Sequence, residues 1–212
     1  MAKDERDGSP PQATGISRRG FLKGAGVGAA SATLLSNATE ALAAAHQARP
    51  VGPGALPITL KVNGVERKLE VEPRTTLADA LRNTLGLTGT KVVCDRGACS
   101  ACTVWLDKTP VNSCLTFALD AVGHSITTIE GLAKGNALHP VQEAFIEHDA
   151  LQCGFCTPGM VMSCAALLGR NPHPTLDDVK DASSGNLCRC GTYPKVFEAT
   201  LAAAKGGGRK EG

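Results

Sequence analysis

The sequence predicts an α+β protein in which strands come first and helices follow. Residues 57–71 alternate apolar and polar side chains, which is the period of a half-buried strand. After Gly131 the apolar spacing becomes helical, and capping residues mark several helix starts. The chain also has nine cysteines, all after residue 93, and a cluster this dense implies either disulfides or metal.

The overall composition excludes two classes of protein. The 212 residues include 22 Lys+Arg and 20 Asp+Glu, so the formal net charge is +2. This balance excludes a strongly basic nucleic-acid-binding protein and an acidic disordered tail. The hydrophobic content of 42% is enough for a core, which must consist mainly of Ala, Leu, Val and Ile because only 3% of residues are aromatic.

Residues 1–45 are predicted to be a signal peptide. The segment Ser17–Lys23 reads S-R-R-G-F-L-K, and the uncharged residues 24–39 are too weakly apolar for a permanent membrane anchor. Ala41, Ala43 and Ala45 offer cleavage sites for a signal peptidase. The layout resembles a twin-arginine export signal, which implies a periplasmic location; a chance arginine pair in a basic leader is the alternative.

The strand-rich part of the chain is predicted to contain three further elements. Asn63-Gly64 separates the two alternating runs and favours a hairpin with a type I′ turn. The segment 76–79 is similar to a capping box and predicts a short helix to about Asn83. Strands are expected at Thr103–Asp107 and Ser125–Ile129, with a turn near Lys108.

The helical part is predicted to contain four helices. The first spans Val141–His148. Thr157 is expected to cap the second, with Pro158 at its first position and its end near Leu168. The third begins at a capping box formed by residues 175–178, and the last spans Tyr193–Lys205.

The first four cysteines have a spacing typical of an iron–sulfur protein. Cys94, Cys99, Cys102 and Cys114 follow the pattern C-x4-C-x2-C…C, the plant-type ferredoxin spacing for a [2Fe–2S] cluster. Three thiolates from one loop can reach a small cluster only if the loop wraps tightly, and the small residues at 97, 98, 100 and 101 permit this. Zinc sites favour paired C-x2–4-C units instead.

The second quartet is Cys153, Cys156, Cys188 and Cys190, and its spacing alone is less decisive. A C-x2-C pair followed by a distant C-x-C pair is compatible with an iron–sulfur cluster and with zinc. The ninth cysteine, Cys164, lies in the apolar run 160–168, where a buried core role is expected.

Five motifs follow one another along the chain, at residues 85–91, 99–104, 110–115, 152–160 and 185–193. Taken together, they resemble the small iron–sulfur subunit, or N-terminal domain, of the molybdenum hydroxylases, the family of xanthine oxidase and aldehyde oxidoreductase. The similarity covers roughly residues 56–205. With the leader included, the chain is most similar to exported iron–sulfur subunits of periplasmic aldehyde oxidoreductases.

The resemblance implies a specific domain organisation. A signal peptide (1–45) and a linker (46–55) would precede a β-grasp ferredoxin-type [2Fe–2S] domain (56–131). A four-helix [2Fe–2S] domain (132–205) and a flexible tail (206–212) would follow. The family usually has glycine at the positions of Val93 and Ser100, so the first cysteine loop must differ locally if either position needs a positive φ.

The resemblance also implies the site residues. Cys94, Cys99, Cys102 and Cys114 would bind the first cluster, and Cys153, Cys156, Cys188 and Cys190 the second. Gln152 and Cys190 would lie near a molybdopterin cofactor held by a partner subunit, although Gln152 could simply be a polar residue that caps a turn. No catalytic residue is expected on this chain.

The implied function is electron transfer within an oxidoreductase complex. Electrons would pass from the molybdenum centre on a large partner subunit, through the two clusters, to an FAD-binding medium subunit or another acceptor. No nucleic-acid partner is expected. The alternatives are a free-standing exported ferredoxin-like carrier and a secreted domain held together by disulfides.

Overall fold

Strands and helices follow one another in the order that the sequence predicts. The computed structural model describes residues 52–206, so the predictions for the signal peptide, for the linker before residue 52 and for the tail after Gly206 lie outside the described residues. Five strands form one sheet with the order β2-β1-β5-β3-β4. They are β1 (Leu56–Val62), β2 (Val65–Val71), β3 (Thr103–Leu106), β4 (Thr109–Asn112) and β5 (Ser125–Thr127).

The first two strands form the predicted hairpin. They pair antiparallel from Leu56↔Val71 to Val62↔Val65. Asn63 and Gly64 connect them with φ values of 52° and 80°, the two positive angles that a type I′ turn requires. β1 also pairs parallel with β5, which places it inside the sheet.

The second hairpin, β3–β4, was only half predicted from the sequence. Asp107 and Lys108 form its turn, with φ values of 48° and 70°. The sequence does not predict β4, because this turn contains no glycine and because Pro110 is unusual in a strand. β5 is shorter than predicted because Ile129–Gly131 forms a 3-10 turn.

A short helix packs against one face of the sheet. Helix α1 (Leu77–Asp79) begins where the Thr76 hydroxyl accepts a hydrogen bond from the Asp79 N–H, and a π-helical turn (Ala80–Thr84) extends it. Leu77 and Leu81 are fully buried among side chains of the sheet. The sheet and this helix form the expected β-grasp unit.

Four helices build the second half of the described chain. They are α2 (Pro140–Glu147), α3 (Thr157–Arg170), α4 (Leu176–Ser183) and α5 (Tyr193–Gly206). α3 is central, because every residue from Gly159 to Leu167 is buried. Within residues 52–206, no helix is both long and apolar enough to cross a membrane.

The predicted cap of α3 is wrong. Cys156, not Thr157, is the N-cap residue, and no side chain caps the helix. Thr157 is already inside the first turn, where its hydroxyl is buried without a hydrogen-bond partner in the described structure. The capping box of α4 is confirmed, since Thr175 accepts from the Asp178 N–H and Asp178 accepts from the Thr175 N–H.

Candidate iron–sulfur centres

The first cysteine loop is shaped by three residues in the left-handed region. Asp95, Gly97 and Ser100 have φ values of 53°, 70° and 52°. These angles fold the loop back on itself, so that its backbone N–H groups face the cysteines. The Gly97 N–H, for example, donates to the Sγ of Cys114 at 3.3 Å.

The four thiols of the first quartet lie together in two pairs. The Cys94 and Cys99 thiols lie close enough to affect one another's protonation, and so do those of Cys102 and Cys114. The backbone N–H of Arg96, together with the Cys99 thiol, lowers the pKa of Cys94 to about 7. Burial and the neighbouring Cys102 thiol raise the pKa of Cys114 to about 11.

Ser100 explains one of the two departures from the family pattern. Its φ of 52° shows that the position favours glycine, so the serine adopts a left-handed conformation. Its carbonyl accepts hydrogen bonds from the Thr103 N–H (3.3 Å), the Thr103 hydroxyl (2.7 Å) and the Asn186 amide (3.0 Å). These bonds offset the cost of the strained backbone. Val93, at the other departure, lies outside the left-handed region.

The second quartet is assembled from two distant segments. Cys153 and Cys156 flank Gly154, whose φ is 82°, directly before α3. Cys188 and Cys190 lie in the loop between α4 and α5. The thiols pair across the two segments, Cys156 with Cys188 and Cys153 with Cys190.

The thiols of Cys156 and Cys188, one of the two pairs in this quartet, have pKa values shifted in opposite directions. Burial, followed by the Cys188 thiol, raises the pKa of Cys156 to about 12. Burial alone would also raise the pKa of Cys188. Hydrogen bonds from the Thr192 hydroxyl (3.1 Å) and the Thr192 N–H (3.5 Å), together with those from the Cys156 thiol and the Cys190 N–H, outweigh the effect of burial and lower the pKa of Cys188 to about 7.

The donor sets fit [2Fe–2S] clusters. Such a cluster is held by four cysteine thiolates, two on each iron, and each quartet presents its thiols as two pairs. Among residues 52–206, no three His, Cys, Asp or Glu side chains converge as they would around a single ion. Backbone N–H groups and the positive end of α3 also favour the negative charge of a thiolate-bound cluster.

The two cysteine loops are in direct contact, which the sequence analysis did not predict. The Leu187 N–H donates to the Cys99 carbonyl at 3.0 Å. This hydrogen bond joins a cysteine of the first quartet to the residue that precedes Cys188 of the second. A Cβ atom added at Gly159 would lie 2.2 Å from the Ser100 carbonyl oxygen. Two sequence features could have indicated this contact, Gly159 inside a helix and Asn186 shortly before Cys188. Both lie within the motifs that carry the resemblance.

The remaining predicted residues occupy different environments. Gln152 is exposed and immediately precedes Cys153, while Cys190 is partly exposed beside the same cysteine. Cys164 is fully buried in the helical core. Burial raises the pKa of Cys164 to about 11, as expected for an inert thiol.

Comparison with known proteins agrees with this geometry. Residues 60–124 match the model of a 2Fe-2S iron–sulfur cluster binding domain, and residues 128–201 match that of a [2Fe-2S] binding domain. The iron–sulfur-binding subunit of an aldehyde oxidoreductase from Escherichia coli is 42% identical over 95% of this chain and 94% of the relative. The chain belongs to the iron–sulfur small subunits of the molybdenum hydroxylases.

Other members of the family extend the comparison. The small subunit of nicotine 6-hydroxylase from Paenarthrobacter nicotinovorans is 52% identical over 73% of this chain and 93% of its own length. In a quinoline 2-oxidoreductase structure from Pseudomonas putida, a chain of 46% identity superposes with a TM-score of 0.70, covering 74% of this chain and 99% of that one. In the aldehyde oxidoreductase of Desulfovibrio gigas, the match has a TM-score of 0.68 and 43% identity, and it covers 73% of this chain but 18% of that one.

Family membership confirms the predicted fold class, cofactors and general role. This iron–sulfur small subunit carries two [2Fe–2S] clusters and transfers electrons in an oxidoreductase complex whose large subunit holds the molybdenum cofactor. The alternative of a free-standing ferredoxin is not favoured. Residues 15–34 match the twin-arginine signal sequence, which confirms export to the periplasm.

Proposed function

We propose that each cysteine quartet binds one [2Fe–2S] cluster. The first set is Cys94, Cys99, Cys102 and Cys114, and the second is Cys153, Cys156, Cys188 and Cys190. The pairing of the thiols carries this proposal, because it matches the two-plus-two ligation of a binuclear cluster. When bound, each cluster would accept and donate one electron at a time.

The chain contributes a fixed and short connection between the two sites. The Leu187 N–H···O=C Cys99 hydrogen bond links the ligand segment of the second quartet to a ligand of the first. The Asn186 side chain, only 2% exposed, reinforces it through its 3.0 Å bond to the Ser100 carbonyl. This bridge holds the two loops at one separation.

Gln152 and Cys190 are proposed to face the molybdopterin of the large subunit. Both lie on the exposed edge of the second quartet, next to Cys153. Phe155 and Leu187, which are 58% and 57% exposed, lie in the same two segments. Large apolar side chains in this position suit an interface with a partner subunit. A further FAD-binding subunit is proposed to receive the electrons from the first quartet.

The substrate class proposed for the complex is an aldehyde. The E. coli relative that supports it matches 95% of this chain, which includes the leader as well as the two cofactor-binding domains. An N-heterocycle is the competing class, because the nicotine-hydroxylase relative is 52% identical over the cofactor-binding part. Turnover assays of the purified complex with benzaldehyde and with nicotine distinguish the two.

The leader is proposed to be cleaved within 1–45 and to leave the mature chain without a membrane anchor. The twin-arginine route carries folded proteins, so the clusters can be inserted before the thiols reach the oxidising periplasm. Partner subunits that lack a signal would be exported together with this one. Finding the partners left in the cytoplasm while this subunit is periplasmic would contradict that proposal.

A cysteine exchange tests the ligand assignment. In Cys153→Ala, we expect one of two [2Fe–2S] EPR signals of the reduced complex to disappear and turnover to stop. Cys164→Ala makes the same exchange outside both quartets and should retain both signals. Unchanged signals and turnover in Cys153→Ala would show that the assignment is wrong.

A further inference from the structure

We propose that Thr192 sets the reduction potential of the second cluster through an O–H···S hydrogen bond to Cys188. The inference rests on the proposed role of Cys188 as a ligand. Thr192 is 6% exposed, and its Oγ1 lies 3.1 Å from the Cys188 Sγ. Because a cluster-bound cysteine sulfur carries no proton, the hydroxyl must be the donor.

The backbone around Thr192 holds the hydroxyl in place. Gly191, with a φ of 80°, reverses the chain so that both the N–H and the hydroxyl of Thr192 face Cys188. The Thr192 carbonyl accepts from the Val196 N–H at 3.0 Å, which ties the residue to the first turn of α5. Thr192 therefore needs little rearrangement when charge develops on the sulfur.

A second set of hydrogen bonds fixes the backbone of Cys188. Its N–H donates to the Tyr193 hydroxyl at 2.8 Å, and that hydroxyl in turn donates to the Asn186 carbonyl at 3.2 Å. The short distance between the Thr192 hydroxyl and the sulfur is thus set by both partners. A hydrogen bond held in this way stabilises the sulfur in the same geometry before and after reduction.

The physical effect follows from the charge change. Reduction adds one negative charge to the cluster, and a hydrogen-bond donor to a ligand sulfur stabilises the reduced form. The first quartet receives backbone N–H groups, such as that of Gly97, whereas the second also receives the Thr192 hydroxyl. The hydroxyl therefore raises the potential of the second cluster without acting on the first.

EPR-monitored redox titration of the purified complex tests this role. In Thr192→Val, which keeps the shape and removes the donor, the midpoint potential of the second cluster should fall. We expect about a tenfold change in its reduction equilibrium, or about 59 mV for a one-electron couple. The potential of the first cluster should not change. Thr192→Ser keeps the hydroxyl and should restore the wild-type value.

The matched control is Thr200→Val, because Thr200 is a buried threonine on α5 whose hydroxyl donates to the Val196 carbonyl and lies beside Cys164, a cysteine outside both quartets. Its two potentials should equal those of the wild type. An unchanged second potential in Thr192→Val, with iron content and both signals intact, would overturn the proposal. If Thr192→Val loses the second cluster, the titration is repeated with Thr192→Ala. Loss of the second cluster in both variants would overturn the proposal, because Thr192 would then be a structural residue. A failed ligand assignment would instead appear in Cys153→Ala.

Discussion

At the scale of single residues, the missing side chain of Gly159 is what allows α3 to approach the first cysteine loop. A methyl group there would lie 2.2 Å from the Ser100 carbonyl oxygen, which is backbone and cannot rotate away. We therefore expect Gly159→Ala to lower the free energy of unfolding by about 1–3 kcal/mol through overpacking. Thermal unfolding followed by circular dichroism measures this loss.

Gly169→Ala is the control for Gly159→Ala, because Gly169 is exposed on the same helix and an added Cβ would meet nothing within 4 Å. This exchange should leave stability unchanged or raise it by up to about 1 kcal/mol through helix propensity. Equal losses in both variants would mean that the contact with Ser100 does not limit the packing of α3.

Residue roles were predictable where spacing determines chemistry. The cysteine quartets could be read from the sequence because four thiolates around a small cluster require short, fixed separations along the chain. The roles of Ser100, Asn186 and Thr192 could not. Asn186 and Ser100 are 86 positions apart, and nothing local in either segment indicates which carbonyl the amide reaches.

At the scale of elements, the start of α4 makes the molecule sensitive to acid. Hydrogen bonds from the Thr175 backbone and hydroxyl lower the pKa of Asp178. The carboxylate therefore stabilises the fold above its unfolded pKa, about 3.9, and this stability is lost as the pH falls through the lower folded value. Asp178→Asn should show a shallower loss of stability as the pH falls below about 4.

Asp181→Asn is the control for the acid prediction, since Asp181 lies on α4 outside the cap. Denaturant unfolding at a series of pH values should give it the slope of the wild type. A wild-type slope in Asp178→Asn would place the acid sensitivity elsewhere in the molecule.

Element prediction succeeded where the signals are local and failed where tertiary contacts decide. The β1–β2 hairpin and the α4 cap depend on residues only a few positions apart. β4 exists because it pairs with β3 across an Asp107-Lys108 turn, which is a weak sequence signal. The α3 cap was misplaced by one residue because Cys156 belongs to the second quartet and to the helix start at once.

At the scale of the whole molecule, the strand-rich and helical halves are packed into one unit. The Trp105 indole N–H on β3 donates to the Met162 carbonyl on α3 at 2.9 Å. The Leu187–Cys99 hydrogen bond adds a second connection. Because metal binding is coupled to folding, we expect the loss of either cluster to destabilise both halves.

Cooperative unfolding is the measurable consequence of this packing. Trp105 is the only tryptophan, so its fluorescence reports the contact between the halves. In the holoprotein, tryptophan fluorescence, far-ultraviolet circular dichroism and visible absorbance of the clusters should give one coincident transition. Two separate transitions would show that the halves unfold independently.

The central claim is that this chain holds two [2Fe–2S] clusters on its two cysteine quartets. Iron analysis combined with EPR spectroscopy of the dithionite-reduced subunit tests it most directly. We expect about four irons per chain and two distinguishable rhombic signals. About two irons with one signal, and zinc in place of the rest, would contradict it.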